Sequence, residues 1–210
     1  MKRHLPLLSF AGLILSTVSA AAHPAQFHSL DRDLAGNLPG AMQAGIVHPL
    51  TGLDHLLVMV AVGLWAVQIG GRAFWLLPCT FVGSMMLGGA MGMGLSLCGV
   101  HQPFVEHGIL ASILLLGVAL GMAWRPSVLV SALCVGLAGL CHGYAHGSEI
   151  PSGALPILFF AGMLIATSLL LASGVGAGVL LNRNPKVAVT VRATGLFLIA
   201  FAVYDLYFPL

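Results

Sequence analysis

The sequence predicts an all-α fold: a polytopic membrane helix bundle of six transmembrane helices that follows a cleavable signal peptide. Three observations carry that reading. The chain of 210 residues is 59% hydrophobic and only 7% charged, with a mean hydropathy of +1.02. A soluble domain carries about 25% charged residues, and no soluble packing of this length hides so much apolar surface. Six apolar stretches follow one another, each near the ~20 residues that a spanning helix needs. The few cations fall in alternate connections between those stretches.

Residues 1–22 read as a signal peptide. Lys2 and Arg3 form the basic start, Leu5 to Val18 is mostly apolar, and Val18 to Ala22 offers small-residue cleavage sites. Cleavage after Ala20 or Ala22 leaves His23 third or first in the mature chain, where its imidazole and the terminal amine can chelate one ion. Residues 23–48 are expected to form a short periplasmic segment. Residues 49–210 then form the six-helix domain, with spans at about 49–69, 73–97, 104–124, 127–145, 155–181 and 189–208. The 27 glycines suit close helix packing in lipid. Cys79, Cys98, Cys134 and Cys141 have no metal-site or disulfide spacing; the first three read as small packing residues, and Cys141, next to His142, stays open as a soft ligand.

Six spans with the mature N-terminus outside place Arg72, Arg125, Arg183 and Lys186 in cytoplasmic connections, with Arg192 just beyond. The same topology sends Asp54, Glu106, Glu149 and Asp205 to the outer ends. His48, His55, His101, His107, His142 and His146 fall in the outer half as well. Cations within and ligands without describe a funnel that collects a cation from the outer face. With a periplasmic lead-in, the expected location is the bacterial inner membrane. No basic patch for nucleic acid is present.

Two clusters carry the chemistry. His48-Pro-Leu-Thr-Gly-Leu-Asp54-His55 opens the first span. Seven residues are close to two turns, so His48 and His55 share a face if the stretch is helical, and Pro49 suits a first helical position. Cys141-His-Gly-Tyr-Ala-His-Gly-Ser-Glu149 closes the fourth span. His142, His146 and Glu149 align on an unbroken helix, although Gly143 and Gly147 are expected to loosen it. A loosened helix end can turn carbonyls toward an ion. Ionisable groups in a span are a functional-site hypothesis, because burying them in lipid is expensive. Together the clusters offer four imidazoles with carboxylates, a donor set for a borderline divalent ion. Glu106 and Cys141 are candidate accessory ligands beside His23. The methionines Met85, Met86, Met91 and Met93 read as gap-filling residues rather than a soft-metal stripe.

No P-loop is present, so transport would follow a gradient or the membrane potential, worth ~2.3 kcal/mol per charge at 100 mV. The residues leave two other classes open. An intramembrane metal-dependent hydrolase would use an open metal position to activate water. A haem-binding redox protein would use paired axial histidines from facing helices. No HExxH sequence or serine-nucleophile motif supports an enzyme.

With His48-x5-Asp54-His55 and His142-Gly-Tyr-Ala-His-Gly-Ser-Glu149, the chain resembles the HupE/UreJ family of bacterial nickel/cobalt permeases. Glu106 with Ala111-Ser-Ile-Leu-Leu-Leu-Gly117 is similar to that family's third helix. The resemblance covers nearly the whole length. It implies inward movement of Ni(II), or Co(II), as the transported ion with no permanent cofactor, for hydrogenase or urease maturation. It implies His48, Asp54 and His55 as principal ligands, with His142, His146 and Glu149 completing the path. Cys141 stands where the family usually has Phe, and Leu171 where many members place a His.

Overall fold

A computed structural model describes residues 38–100, 104–151, 153–182 and 188–208. The expected signal peptide, His23, His101, Arg183 and Lys186 lie outside the described residues. Among those described, the fold is seven helices with no strand: α1 (Leu38–Thr51), α2 (Leu53–Ile69), α3 (Ala73–Leu97), α4 (Phe104–Gly121), α5 (Val128–Ser148), α6 (Pro156–Asn182) and α7 (Ala188–Tyr207). Five of these are long and apolar enough to cross a membrane, and α1 with α2 would make a sixth, bent span.

The first span differs from its sequence expectation. Residues 38–51 are helical, and the chain turns by 78° at Gly52 before α2 begins. Pro49 therefore sits inside the last turn of α1, not at a first helical position. The Thr51 hydroxyl donates to the His48 carbonyl and helps close that turn. His48 and His55 are not on one helical face. They meet because the bend folds the end of α1 over the start of α2.

The bundle is apolar outward and has an apolar core, into which a few polar side chains are turned. On α5, Leu129, Leu133 and Leu137 form an exposed stripe, while Ser131, His142 and His146 are buried. Trp65, Phe81, Phe159 and Met85 fill the interior. Glycines set how closely the helices approach. A Cβ at Gly143 or Gly147 of α5 would overlap the Met85 or Gly89 carbonyl of α3, and one at Gly88 or Gly92 of α3 would overlap the Leu140 or Tyr144 carbonyl of α5. Gly143 and Gly147 thus do not loosen α5, which runs unbroken to Ser148. They let it lie backbone to backbone on α3. The same device joins α6 to α1 through Gly45 and Gly162, and α6 to α2 through Gly63 and Gly174. Gly195 packs α7 on α4. Close approach of this kind is what small residues provide between membrane helices.

Charge is sorted along the helices. Glu106 is within electrostatic reach of Glu149, Asp54, His55 and Asp205, so the acids among the described residues share one end. Arg125 and Arg192 share a cavity at the other. The α4–α5 turn at that basic end is strained. Ala123 has φ 52°, a left-handed conformation, and its amide donates to Leu120 while that of Trp124 donates to Ala119. Trp65 Nε1 and Gln68 Nε2 both donate to the Trp124 carbonyl, at 3.0 and 3.2 Å. Trp65 and Trp124 also stack at 6.1 Å. Relieving the strain with Ala123→Gly is expected to stabilise the protein by about 1 kcal/mol, read as a raised Tm in detergent. An unchanged or lower Tm would show that the turn is not strained in solution.

Candidate functional site

Three helix ends meet at the acidic end of the bundle. The last turn of α1 supplies His48, the first turn of α2 supplies Asp54 and His55, and the last turns of α5 supply His142 and His146 with Glu149 as its cap. His55, His142 and His146 are almost completely withdrawn from the surface, at 2%, 0% and 0% exposure, and His48 and Asp54 are also buried. Four imidazoles withdrawn this far in an apolar bundle need polar neighbours to offset their desolvation, and they find them in each other.

The rings form a connected group. His55 lies 4.3 Å from His146 and 5.1 Å from His142, centroid to centroid. His48 lies 4.8 Å from His146 and 6.4 Å from His55. Phe159 flanks His48 at 5.7 Å and Phe81 flanks His142 at 5.8 Å, closing the group on two sides. These two aromatics were not singled out in the sequence. Nothing separates them there from the other phenylalanines of apolar spans.

Carboxylates approach from two directions. Asp54 Oδ1 lies 2.7 Å from His55 Nδ1, a close acid–imidazole pair. Glu149 Oε2 lies 3.5 Å from His48 Nε2. His142 is oriented from its own helix: Nδ1 donates to the Ala138 carbonyl at 2.8 Å. A carbonyl only accepts, so the proton is on Nδ1 and Nε2 keeps its lone pair. Nε2 is buried and has no hydrogen-bond partner among the described residues. Fixing one ring nitrogen so that the other can ligate is how metal-binding histidines are commonly prepared.

All six principal candidates are thus brought to one place, by α1, α2 and α5. Among the described residues, no three His, Cys, Asp or Glu side chains are already poised around one ion. The accessory candidates differ. Glu106 is on the exposed side of α4, within electrostatic reach of Asp54, His55 and Glu149. Cys141 faces α4, its sulfur 2.6 Å from where a Cβ on Gly108 would stand. Leu171 is buried in the apolar core. It lies about 18 Å along α6 from Phe159 at ~1.5 Å per residue, so its apolar side chain removes no member of the imidazole group. Met85 is fully buried and takes a contact from the Thr167 hydroxyl at 3.6 Å, as a packing residue would.

The profile of the HupE / UreJ protein family matches residues 11–204. The chain is 37% identical over 163 residues to Protein HupE of Rhizobium leguminosarum bv. viciae, an alignment covering 78% of this chain and 81% of that protein. No solved structure matches. The matched region contains both histidine clusters and every described helix up to Tyr204, and on that ground the chain belongs to the HupE/UreJ family.

Proposed function

We propose that the chain is a secondary permease that carries Ni(II), with Co(II) as an alternative cargo, from periplasm to cytoplasm across the bacterial inner membrane. The ion would serve the maturation of nickel enzymes such as hydrogenase or urease. The observation that carries this reading is the meeting of His55 from α2 with His142 and His146 from α5, at ring separations of 4.3–5.1 Å. Imidazole with carboxylate suits Ni(II) and its neighbours in the first transition row.

The contacts give the ligands an order. His48 and Glu149 pair at the ends of α1 and α5, where Glu149 is the more exposed of the two. His146 touches both His48 and His55, and His55 touches His142, one turn deeper on α5. An ion arriving at Glu149 would pass to His146 and His55, then to the lone pair of His142 Nε2. Each station offers few ligands at once, so the ion keeps part of its water shell and can leave. To close on it, the imidazoles would have to rotate from their present positions. The membrane potential draws a divalent cation inward with about 4.6 kcal/mol at 100 mV, from ~2.3 per charge.

These separations also weigh against a haem. Rings 4.3–5.1 Å apart leave no room for a macrocycle between them. Uptake of radioactive nickel by cells, wild type against His55→Ala and His146→Ala, tests the transport reading. Uptake that survives both substitutions would overturn it. Imidazoles must be unprotonated to ligate, so uptake is expected to fall as the medium passes from about pH 7 to about pH 5, through the histidine range near ~6.5. A flat profile would exclude imidazole as the controlling ligand.

A further inference from the structure

At the end of the bundle opposite the imidazoles, α2, α6, α7 and the α4–α5 turn enclose a cavity of about 140 Å³. Gln68, at its rim, lies about 20 Å along α2 from His55 at ~1.5 Å per residue. Arg125 and Arg192 line the cavity together with Gln68, and Leu64, Leu181 and Val191 give it an apolar wall. Neither guanidinium makes an ion pair among the described residues. Among the described residues, the acids lie at the far end of the bundle.

Arg125 is held at this cavity by a strained turn. It follows Trp124, whose carbonyl is fixed by Trp65 and Gln68, and Ala123, which is left-handed. Strained backbone of this kind persists where the surroundings over-determine it, and it clusters at binding sites. Two like charges facing one cavity repel each other, and among the described residues no lining side chain opposes them. A phosphate group would, because the guanidinium fork matches its oxygens. The apolar wall argues for a phosphate that carries acyl chains. Basic pockets between membrane helices at headgroup level are suited to anionic lipid headgroups.

We propose that this cavity seats the phosphate of an anionic phospholipid headgroup, held by Arg125 and Arg192. The proposal is independent of which ion the imidazoles carry. The test uses purified full-length protein in detergent with short-chain phosphatidylglycerol, phosphatidylcholine or inorganic phosphate. Phosphatidylglycerol is expected to raise Tm and phosphatidylcholine is not. Arg125→Gln and Arg192→Gln are each expected to weaken phosphatidylglycerol binding about fivefold, and together about 25-fold. Arg→Lys variants keep the charge and should bind with intermediate affinity. Equal responses to the two lipids, or a double Gln variant that binds like wild type, would overturn the proposal. So would Lys variants that bind no better than Gln variants. Stabilisation by inorganic phosphate alone at the same concentration would overturn the lipid as its source.

Discussion

His55→Ala is expected to lower nickel uptake at least about tenfold while the protein remains folded in the membrane. His55 is the member of the group that touches most of the others: His146, His142, His48 and the Asp54 carboxylate. Its removal breaks the link between the α1 and α5 imidazoles. Loss of an outer partner that merely orients a ligand costs 10–100-fold in metal affinity, so loss of a ligand should cost no less. A structural role predicts a different result. His55→Gln would then restore uptake, because it restores volume and a hydrogen-bonding group. The ligand reading expects Gln to remain defective. Uptake assayed alongside the amount of folded protein distinguishes the two, and near-normal uptake by His55→Gln would refute the ligand role.

Gly143→Ala is expected to destabilise the protein by about 1–3 kcal/mol or more, the cost of overpacking a tight interface. The added methyl would meet the Met85 carbonyl of α3, a backbone atom that cannot turn aside. Gly83, also in a packed membrane helix, has open space where its Cβ would stand. Gly83→Ala should therefore be neutral or stabilising by up to ~1 kcal/mol, from helix propensity alone. Melting in detergent reads both. Equal Tm values for the two variants would show that α3 and α5 do not touch through their backbones. Gly143 also neighbours His142, so nickel uptake should fall with stability in the first variant and stay intact in the second.

Much of the fold was legible in the sequence because lipid imposes length and polarity on every span. The second span was expected at 73–97 and α3 is Ala73–Leu97. The sorting of acids from arginines was readable for the same reason. The bend at Gly52 was not. Residues up to 48 read as a lead-in outside the first span, and the isolated Gly52 does not announce a 78° turn between two helices. The spacing argument for His48 and His55 reached the right pairing by the wrong geometry. The glycines of α5 were misread for a related reason. Propensity alone makes them weak points. Their four-residue spacing, Gly139-x3-Gly143-x3-Gly147, was the available sign of close packing. The six ligand candidates were readable because polar groups are scarce in spans. Their tautomers and flanking aromatics depend on contacts between distant helices.

The glycine contacts described above divide the bundle into interlocked plates. One plate is α3 with α5, and it bears His142, His146 and Glu149. Another is α6 with α1 and α2, and it bears His48, Asp54 and His55. A rod whose backbone is notched into its neighbour cannot slide or spin alone, so it travels with that neighbour. The plates pack on each other through α2 against α3 and α3 against α6, while α2 and α5 touch little beyond their imidazoles. The width of the gap between His55 and His142 is therefore a gauge of how the two plates are seated against each other.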